Sequence, residues 1–202
     1  LKKLGKESVF VDGLRVTDKE TVDVAQMVLA GKVNKSLVNL IQNVGGTAVG
    51  LSGMDGHLIE ARQLDEKLGY VGEIVAIHPA PIVDLLEKGY IPVVSTLGCD
   101  REGNVYNINA DTAAAHIAAA LQAESLINLT DTKGVLADAK DPSSLITRIR
   151  LCEISGLKTS GVVSGGMIPK LECCAHAVEH GARRAFIIDG RVPHSILIEM
   201  LT

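Results

Sequence analysis

Four segments of the chain combine apolar, strand-like runs with glycines, charges and side-chain amides. The first is VDGLRVTD, where Arg15 stands between an apolar strand and the start of a helix. A guanidinium there could hold a carboxylate through two parallel hydrogen bonds. The plainer alternative is a solvated arginine in a surface ion pair. The second is YNINADTAAAHIAAAL, where Asn107 and Asn109 precede Asp111 at the mouth of a helix. Asp111 suits a helix cap, while Asn107 can both donate to and accept from an amide-and-carboxylate ligand. The third is LINLTDTKGVL. Asp131 could bind a ribose hydroxyl, with Val135 and Leu136 beside a base, or the segment could be an ordinary turn. The fourth is GVVSGGMIPK. Backbone amides at Gly165 and Gly166 could approach a phosphate at a helix start, with Lys170 about one turn further on. Its glycine spacing fits neither a Walker A loop nor a dinucleotide fingerprint.

Two other clusters carry less chemistry. Cys173, His176 and His180 fall on one helical face with metal-ligand spacing, but a partly buried thiol and two surface imidazoles is the simpler reading, and no metal site is expected. The opening LKKLGK is basic but short enough to be a solvated helix end.

Composition narrows the functions that these residues could serve. The chain has 202 residues and 47% hydrophobic residues, enough to build a core. Its formal net charge is -4, which gives no attraction to nucleic acid or anionic membrane. Tryptophan is absent and aromatics are scarce, so base-stacking platforms are not expected. No apolar run is long enough to span a bilayer, and the first ten residues lack the apolar core of a signal peptide. The four cysteines show no C-x-x-C pair, which suits reduced thiols in a cytosolic-type compartment.

The elements that must position the four segments follow from periodicity. TDKETVDVAQMVLA predicts a helix capped by Thr17 or Asp18, and VNKSLVNLIQNVGG a second helix stopped by Gly45–Gly46. TAVGLS predicts a buried strand that ends in a turn over residues 53–56. LIEARQ and YVGEIVAI predict the strands of a smaller antiparallel hairpin. Residues 79–88 predict a helix, and IPVVSTLG one strand. CDREGNVYNI predicts a hairpin turning at Glu102–Gly103–Asn104. An Ala-rich helix over ADTAAAHIAAALQA, a strand over SLINLT and a polar loop over residues 131–144 follow. GGMIPKLECCAHAVEHG then predicts a helix, RRAFIIDG a strand and VPHSILIEML a last helix. Repeated strand–helix–strand order with Ile-, Val- and Leu-rich strands argues for an α/β fold around a mainly parallel sheet.

Taken together, VDGLRVTD, VNKSLVNLI, AVGLSGMDG, YIPVVSTLG, YNINADTAAA, LTDTKGVL, SGGMIPK and IDGRVPH resemble the amino acid kinase family, in its acetylglutamate kinase branch. They occur in the family's order across nearly the whole chain. The resemblance implies a three-layer αβα sandwich, with residues 1–123 binding the acylated amino acid and residues 124–202 the nucleotide. It implies that Arg15 and Asn107 contact N-acetyl-L-glutamate, and that Asp111 orients catalytic lysines. Lys170 would stabilise the phosphoryl group in flight. Thr130, Asp131, Thr132, Lys133, Gly134 and Val135, with Val162, Val163, Ser164, Gly165 and Gly166, would line the site for ATP and its Mg²⁺. The implied reaction is transfer of a phosphoryl group to the side-chain carboxylate, in arginine biosynthesis.

The same resemblance implies a homo-oligomer and a cytoplasmic setting (or the plastid stroma in a photosynthetic eukaryote). It also implies a possible arginine effector site at His194 and Glu199. Met54 stands where many relatives have lysine, and Thr132–Lys133 is an unusual variant of its loop. The family's first-strand lysine and glycine-rich loop would lie upstream of Leu1 and a glycine-containing tail beyond Thr202, so the chain alone is expected to be a poor kinase. The alternatives are a carbamate kinase or aspartokinase type of enzyme, or a non-catalytic protein that binds nucleotide or arginine.

Overall fold

The computed structural model describes residue 5 and residues 9–11, 14–138, 140–141 and 143–201. Apart from Gly5, the LKKLGK start lies outside the described residues. The chain divides into two compact units, Leu1–Ala113 and Ala114–Thr202.

The first unit opens with an antiparallel pair, β1 (Phe10–Val11) and β2 (Leu14–Arg15). Helix α1 (Lys19–Ala25) begins at Asp18, whose carboxylate accepts the Thr21 N–H at 2.7 Å. Of the two expected caps, Asp18 fills the role. The two helices read from periodicity form one continuous helical run. A π-helical stretch, Gln26–Val33, joins α1 to α2 (Asn34–Asn43). The wider i→i+5 bonding shows where the Asn34 N–H donates to the Leu29 carbonyl. Gly31 lies within this stretch without ending it. The run stops where expected: Gly45 takes φ 91°, and the Gly46 N–H donates back to Ile41 O at 3.0 Å.

Strand β3 (Ala48–Ser52) runs on to the hairpin of β4 (Ile59–Gln63) and β5 (Gly72–Ile77). Helix α3 (Ala80–Glu87) leads into β6 (Ile91–Ser95), which pairs in parallel with β3 from Ala48↔Ile91 to Ser52↔Ser95. IPVVSTLG, expected as one strand, breaks at Thr96. Its second part, β7 (Leu97–Cys99), leaves the β3–β6 ladder for a four-stranded sheet ordered β5–β4–β7–β8, with β8 spanning Val105–Asn107. The Ile108 N–H donates to Thr96 O at 3.0 Å, and Leu58, Ile59 and Leu97 beside the break are fully excluded from water. Burial on the new sheet therefore decides the switch, since nothing in the local residue pattern interrupts the strand.

Helix α4 (Ala110–Ala120) carries the chain into the second unit. There β9 (Leu126–Thr130) pairs in parallel with β10 (Ala185–Asp189), ending in register at Thr130↔Asp189. Between them lie α5 (Ile154–Thr159), which sequence periodicity did not reveal, and α6 (Met167–Glu179). The last helix, α7 (Ser195–Leu201), starts three residues later than its apolar pattern suggested. Ala115, Ala118, Leu126, Ala177 and Ala182 form a small-residue core that joins α4, α6 and β9. The α/β class with parallel strand pairs and a separate antiparallel hairpin matches the sequence expectation.

One buried amide ties the first unit together. Asn34, only 2% exposed, donates through Nδ2 to Leu51 O at 3.0 Å on β3 and to Val93 O at 2.8 Å on β6. A Cβ on Gly50 would lie 1.8 Å from Asn34 Oδ1, so glycine is required at that crossing. Asn34→Ala leaves two buried carbonyls without this donor and should lower unfolding free energy by about 2 kcal/mol. A chemical denaturation midpoint unchanged from wild type would contradict that account.

Candidate functional site

In the first unit, Arg15 ends β2 with its guanidinium 4.5 Å above the Phe10 ring, a cation–π contact that fixes the plane of the fork. Two residues on, Thr17 is fully buried and bridges in parallel to Gly69. The Tyr70 N–H donates to Thr17 O at 2.7 Å, and the Asn107 N–H donates to Tyr70 O at 2.9 Å. Residues 69–71 therefore lie between the strand that carries Arg15 and the one that carries Asn107. The two polar side chains expected on one ligand belong to strands flanking a single three-residue segment. Asp111 sits in the first turn of α4, but it is not the cap. Asn109 Oδ1 accepts the Thr112 N–H at 3.1 Å, so Asn109 caps the helix and Asp111 faces the positive end of the helix dipole from within the first turn.

In the second unit, the expected nucleotide segments converge through apolar packing. Val135, Val163 and Leu171 form one buried cluster, with Val162, Met167, Ile168 and Ile187 packed around it. Val135 and Val163 are 5% and 2% exposed, so what they can offer a ligand is backbone, in contrast to the base contact expected of Val135. Gly134 takes φ 126°, and a Cβ there would press on Leu145 at 3.0 Å and on Ile187 O at 3.4 Å. Thr130 Oγ1 accepts the Thr132 N–H at 3.0 Å and closes the turn that follows β9. At the start of α6, Gly166 provides no side-chain cap and no acid occupies the first turn. A Cβ on Gly165 or Gly166 would meet nothing within 4 Å. The glycine pair thus faces open space, with half-buried Lys170 one turn along; the first two amides of α6 are already engaged, Met167 N–H on Ser164 O at 3.3 Å and Ile168 N–H on Gly165 O at 3.2 Å, and Pro169 has none.

Comparison with known proteins adds the decisive observation. The profile of the amino acid kinase family matches residues 1–189. The chain belongs to the amino acid kinase family. Acetylglutamate kinase of Thermosynechococcus vestitus is 55% identical over 203 residues, covering 100% of this chain and 69% of that protein. Among solved structures, smu.665 of Streptococcus mutans superposes with a TM-score of 0.84 at 32% identity, over 93% of this chain and 76% of the other. N-acetylglutamate synthase of Neisseria gonorrhoeae, complexed with coenzyme A and N-acetyl-glutamate, gives a TM-score of 0.84 at 26% identity. That match spans all of this chain and 46% of the synthase.

Within this family member, other groups join the expected ones. Asp189, at the end of β10 and in register with Thr130, is held by both arms of Arg191. Nε donates to Oδ1 and Nη2 to Oδ2, each at 2.9 Å. These bonds, with the Arg191 N–H and a weaker attraction from Lys133, pull the Asp189 carboxyl down to about 2. Asp131 in turn favours the charged Arg191, so Asp131, Lys133, Asp189 and Arg191 form one charge group past the strand ends. Ligands gather there in open parallel sheets. The I-D-G-R spacing was the available signal. In the first unit a cavity of about 390 Å³ is lined by His57, Glu60, His78 and Arg101, which come from separate segments with no motif to join them.

On the helical face of Cys173, His176 and His180 the thiol is partly buried and His180 is exposed, as the simpler reading of the sequence expected, while His176 is half-buried. Cys173 packs on the small-residue core, while the His176 ring stacks between those of His116 and His180. Among the described residues no three His, Cys, Asp or Glu converge to hold a metal. No described helix is long and apolar enough to cross a membrane.

The depressed Asp189 carboxyl has a pH consequence. Its contribution to stability is present above the ordinary carboxylate value of about 4 and is lost as pH falls through its folded value. Asp189→Asn should therefore remove a component of acid unfolding toward about pH 2, read by circular dichroism. An acid-unfolding curve identical to wild type would detach the pair from stability.

Proposed function

We propose that this chain is the core of an acetylglutamate kinase, which transfers the terminal phosphoryl group of ATP to the side-chain carboxylate of N-acetyl-L-glutamate in arginine biosynthesis. The observation that carries this reading is the 55% identity, over the whole chain, to an enzyme of that name. Residues 1–123 serve the acylated amino acid and residues 124–202 the nucleotide. The protein works in the cytoplasm as a homo-oligomer. The row of exposed Val33, Leu37, Leu40 and Val44, running from the end of the π-helical stretch through α2 to the residue that caps it, supports self-association through that helical run.

The chemistry suits the residue types. A carboxylate is ionised at neutral pH, so it attacks the phosphorus without a general base. The difficulty is bringing one anion up to another. Arg15, steadied over Phe10, holds a carboxylate of the acylated amino acid through its fork, and Asn107 matches the amide. The Gly165–Gly166 backbone ahead of α6, which faces open space, receives phosphate oxygens, and Lys170 meets the charge that develops during transfer. Thr130 to Val135 and Val162 to Gly166 supply backbone and short polar groups to the nucleotide. Asp111 orients cationic side chains; among several lysines it serves as an organiser and not as a base. Mg²⁺ supplies counter-charge on the nucleotide's own phosphates.

Arginine is an effector in this reading. Glu199 pairs its guanidinium, beside His194, which holds a left-handed backbone with φ 61° at the start of α7. Calorimetry on the complete protein tests it, and an absence of arginine binding removes the effector from the account.

The complete protein should release ADP in the presence of N-acetyl-L-glutamate and not with carbamate or aspartate. Preference for either other acid would move it to another branch of the family. Arg15→Lys should raise KM for acetylglutamate by roughly tenfold while leaving KM for ATP near wild type, because a point charge cannot replace a fork. Equal changes in both would remove Arg15 from the substrate. Lys170→Ala should cut turnover by roughly 10²–10³-fold. Near-normal turnover would leave Lys170 a surface lysine.

A further inference from the structure

Three imidazoles form a column in the second unit. His116 of α4 stacks on His176 of α6, and His176 stacks on His180, with ring centroids 4.1 Å apart and 27° between planes in both pairs. His180 Nδ1 lies 2.8 Å from His176 O. A carbonyl can only accept, so Nδ1 of His180 carries the hydrogen and the bond fixes the orientation of its ring. Elsewhere α4 and α6 meet through alanines, Ala115 and Ala118 against Ala177, with Cys173 packed at the edge. The rings are thus the bulky part of this contact.

From this geometry we propose that the His116–His176–His180 column is a proton-sensitive latch, which holds α6 against α4 near neutral pH and loosens it as the rings gain protons. Two imidazolium rings face to face at this spacing repel each other, and the alanine contact offers little to oppose them. The groups around the column leave that repulsion largely uncompensated. Burial first, then His176 and His180, push the His116 imidazole below its ordinary value. Burial first, then His180, push His176 down too, and the carboxylate of Glu179 on α6 opposes this more weakly. On α4 the partner is His116 itself. Cys174, next along α6, accepts from the Asn128 amide at 3.3 Å.

The direction of the pH effect follows. His116 and His176 bind protons less readily in the folded chain than in the unfolded one. The stabilisation is present above the ordinary imidazole value of about 6.5 and is lost as pH falls below it. Lys170 rides on α6, so loosening would reach the phosphate end of that helix. That last consequence rests on the kinase reading, whereas the latch itself does not.

The test uses the complete protein without substrates. Proton NMR should show His116 and His176 titrating below free imidazole, and His176→Asn should raise the apparent pKa of His116 by removing a neighbouring ring. Between about pH 7.5 and pH 5.5 the unfolding temperature of wild type should fall roughly twice as far as that of the His116→Asn, His176→Asn double variant. Hydrogen exchange across α6 should accelerate over the same range in wild type alone. The proposal is overturned if His116 and His176 titrate at or above the free value, or if variant and wild type lose stability in parallel. Should the double variant fail to fold, the wild-type titration and the His176→Asn shift of His116 still decide the matter.

Discussion

Val135, Val163 and Leu171 come from three separate stretches of the second unit, and each is almost wholly removed from water. Each polar stretch of the candidate nucleotide site is anchored by one of them: the turn after β9, the glycine pair before α6, and the first turns of α6 with Lys170. Burial of each aliphatic side chain contributes roughly 1.5–3 kcal/mol, against the cost of ordering loops that would otherwise move freely. The polar groups themselves add little to stability, being exposed or engaged in short-range turns. On the kinase reading, a site for a polyanion is thus shaped by aliphatic side chains turned away from it into the core.

The first unit solves a similar problem with backbone. Thr17, residues 69–71 and Asn107 are joined by amide–carbonyl bonds of 2.7–2.9 Å, so Arg15 and Asn107 ride on lines of main chain that flank one shared segment. Their separation is set by the ladder spacing and not by side-chain rotamers. Phe10 then removes much of the remaining freedom of the guanidinium. A rigid fork matters most where the ligand is an anion that must approach another anion, because misplacement by an ångström weakens both attraction and alignment.

Local chemistry was legible where it is local in space. The Asp18 cap, the Gly45–Gly46 stop, the β4–β5 hairpin and the glycine entry to α6 could all be read from a few consecutive residues. The break at Thr96 could not, because Leu97 leaves one sheet for another on account of burial contributed by Ile59, far away in sequence. Asn109 and Asp111 both suit a cap, and only the hydrogen bond to Thr112 chooses between them. Val135 looked like a base contact because a loop valine has no visible reason to be elsewhere. Its partners Val163 and Leu171 lie about 30 residues on or more, beyond any periodicity. The column of imidazoles was half visible: His176 and His180 share a face, but His116 joins them only through the packing of α4 on α6.

The π-helical stretch before Asn34 sets a limit on how the gene can change. Each residue added to or removed from a helix turns everything beyond it by about 100°. Asn34 reaches two carbonyls on two different strands with one amide nitrogen, and its oxygen lies against Gly50. The wide turns of Gln26–Val33 are how the helical run places that amide correctly. A single-codon insertion or deletion there, harmless in most surface helices, would swing Asn34 away from both strands. That segment should accept substitutions freely while tolerating almost no change in length.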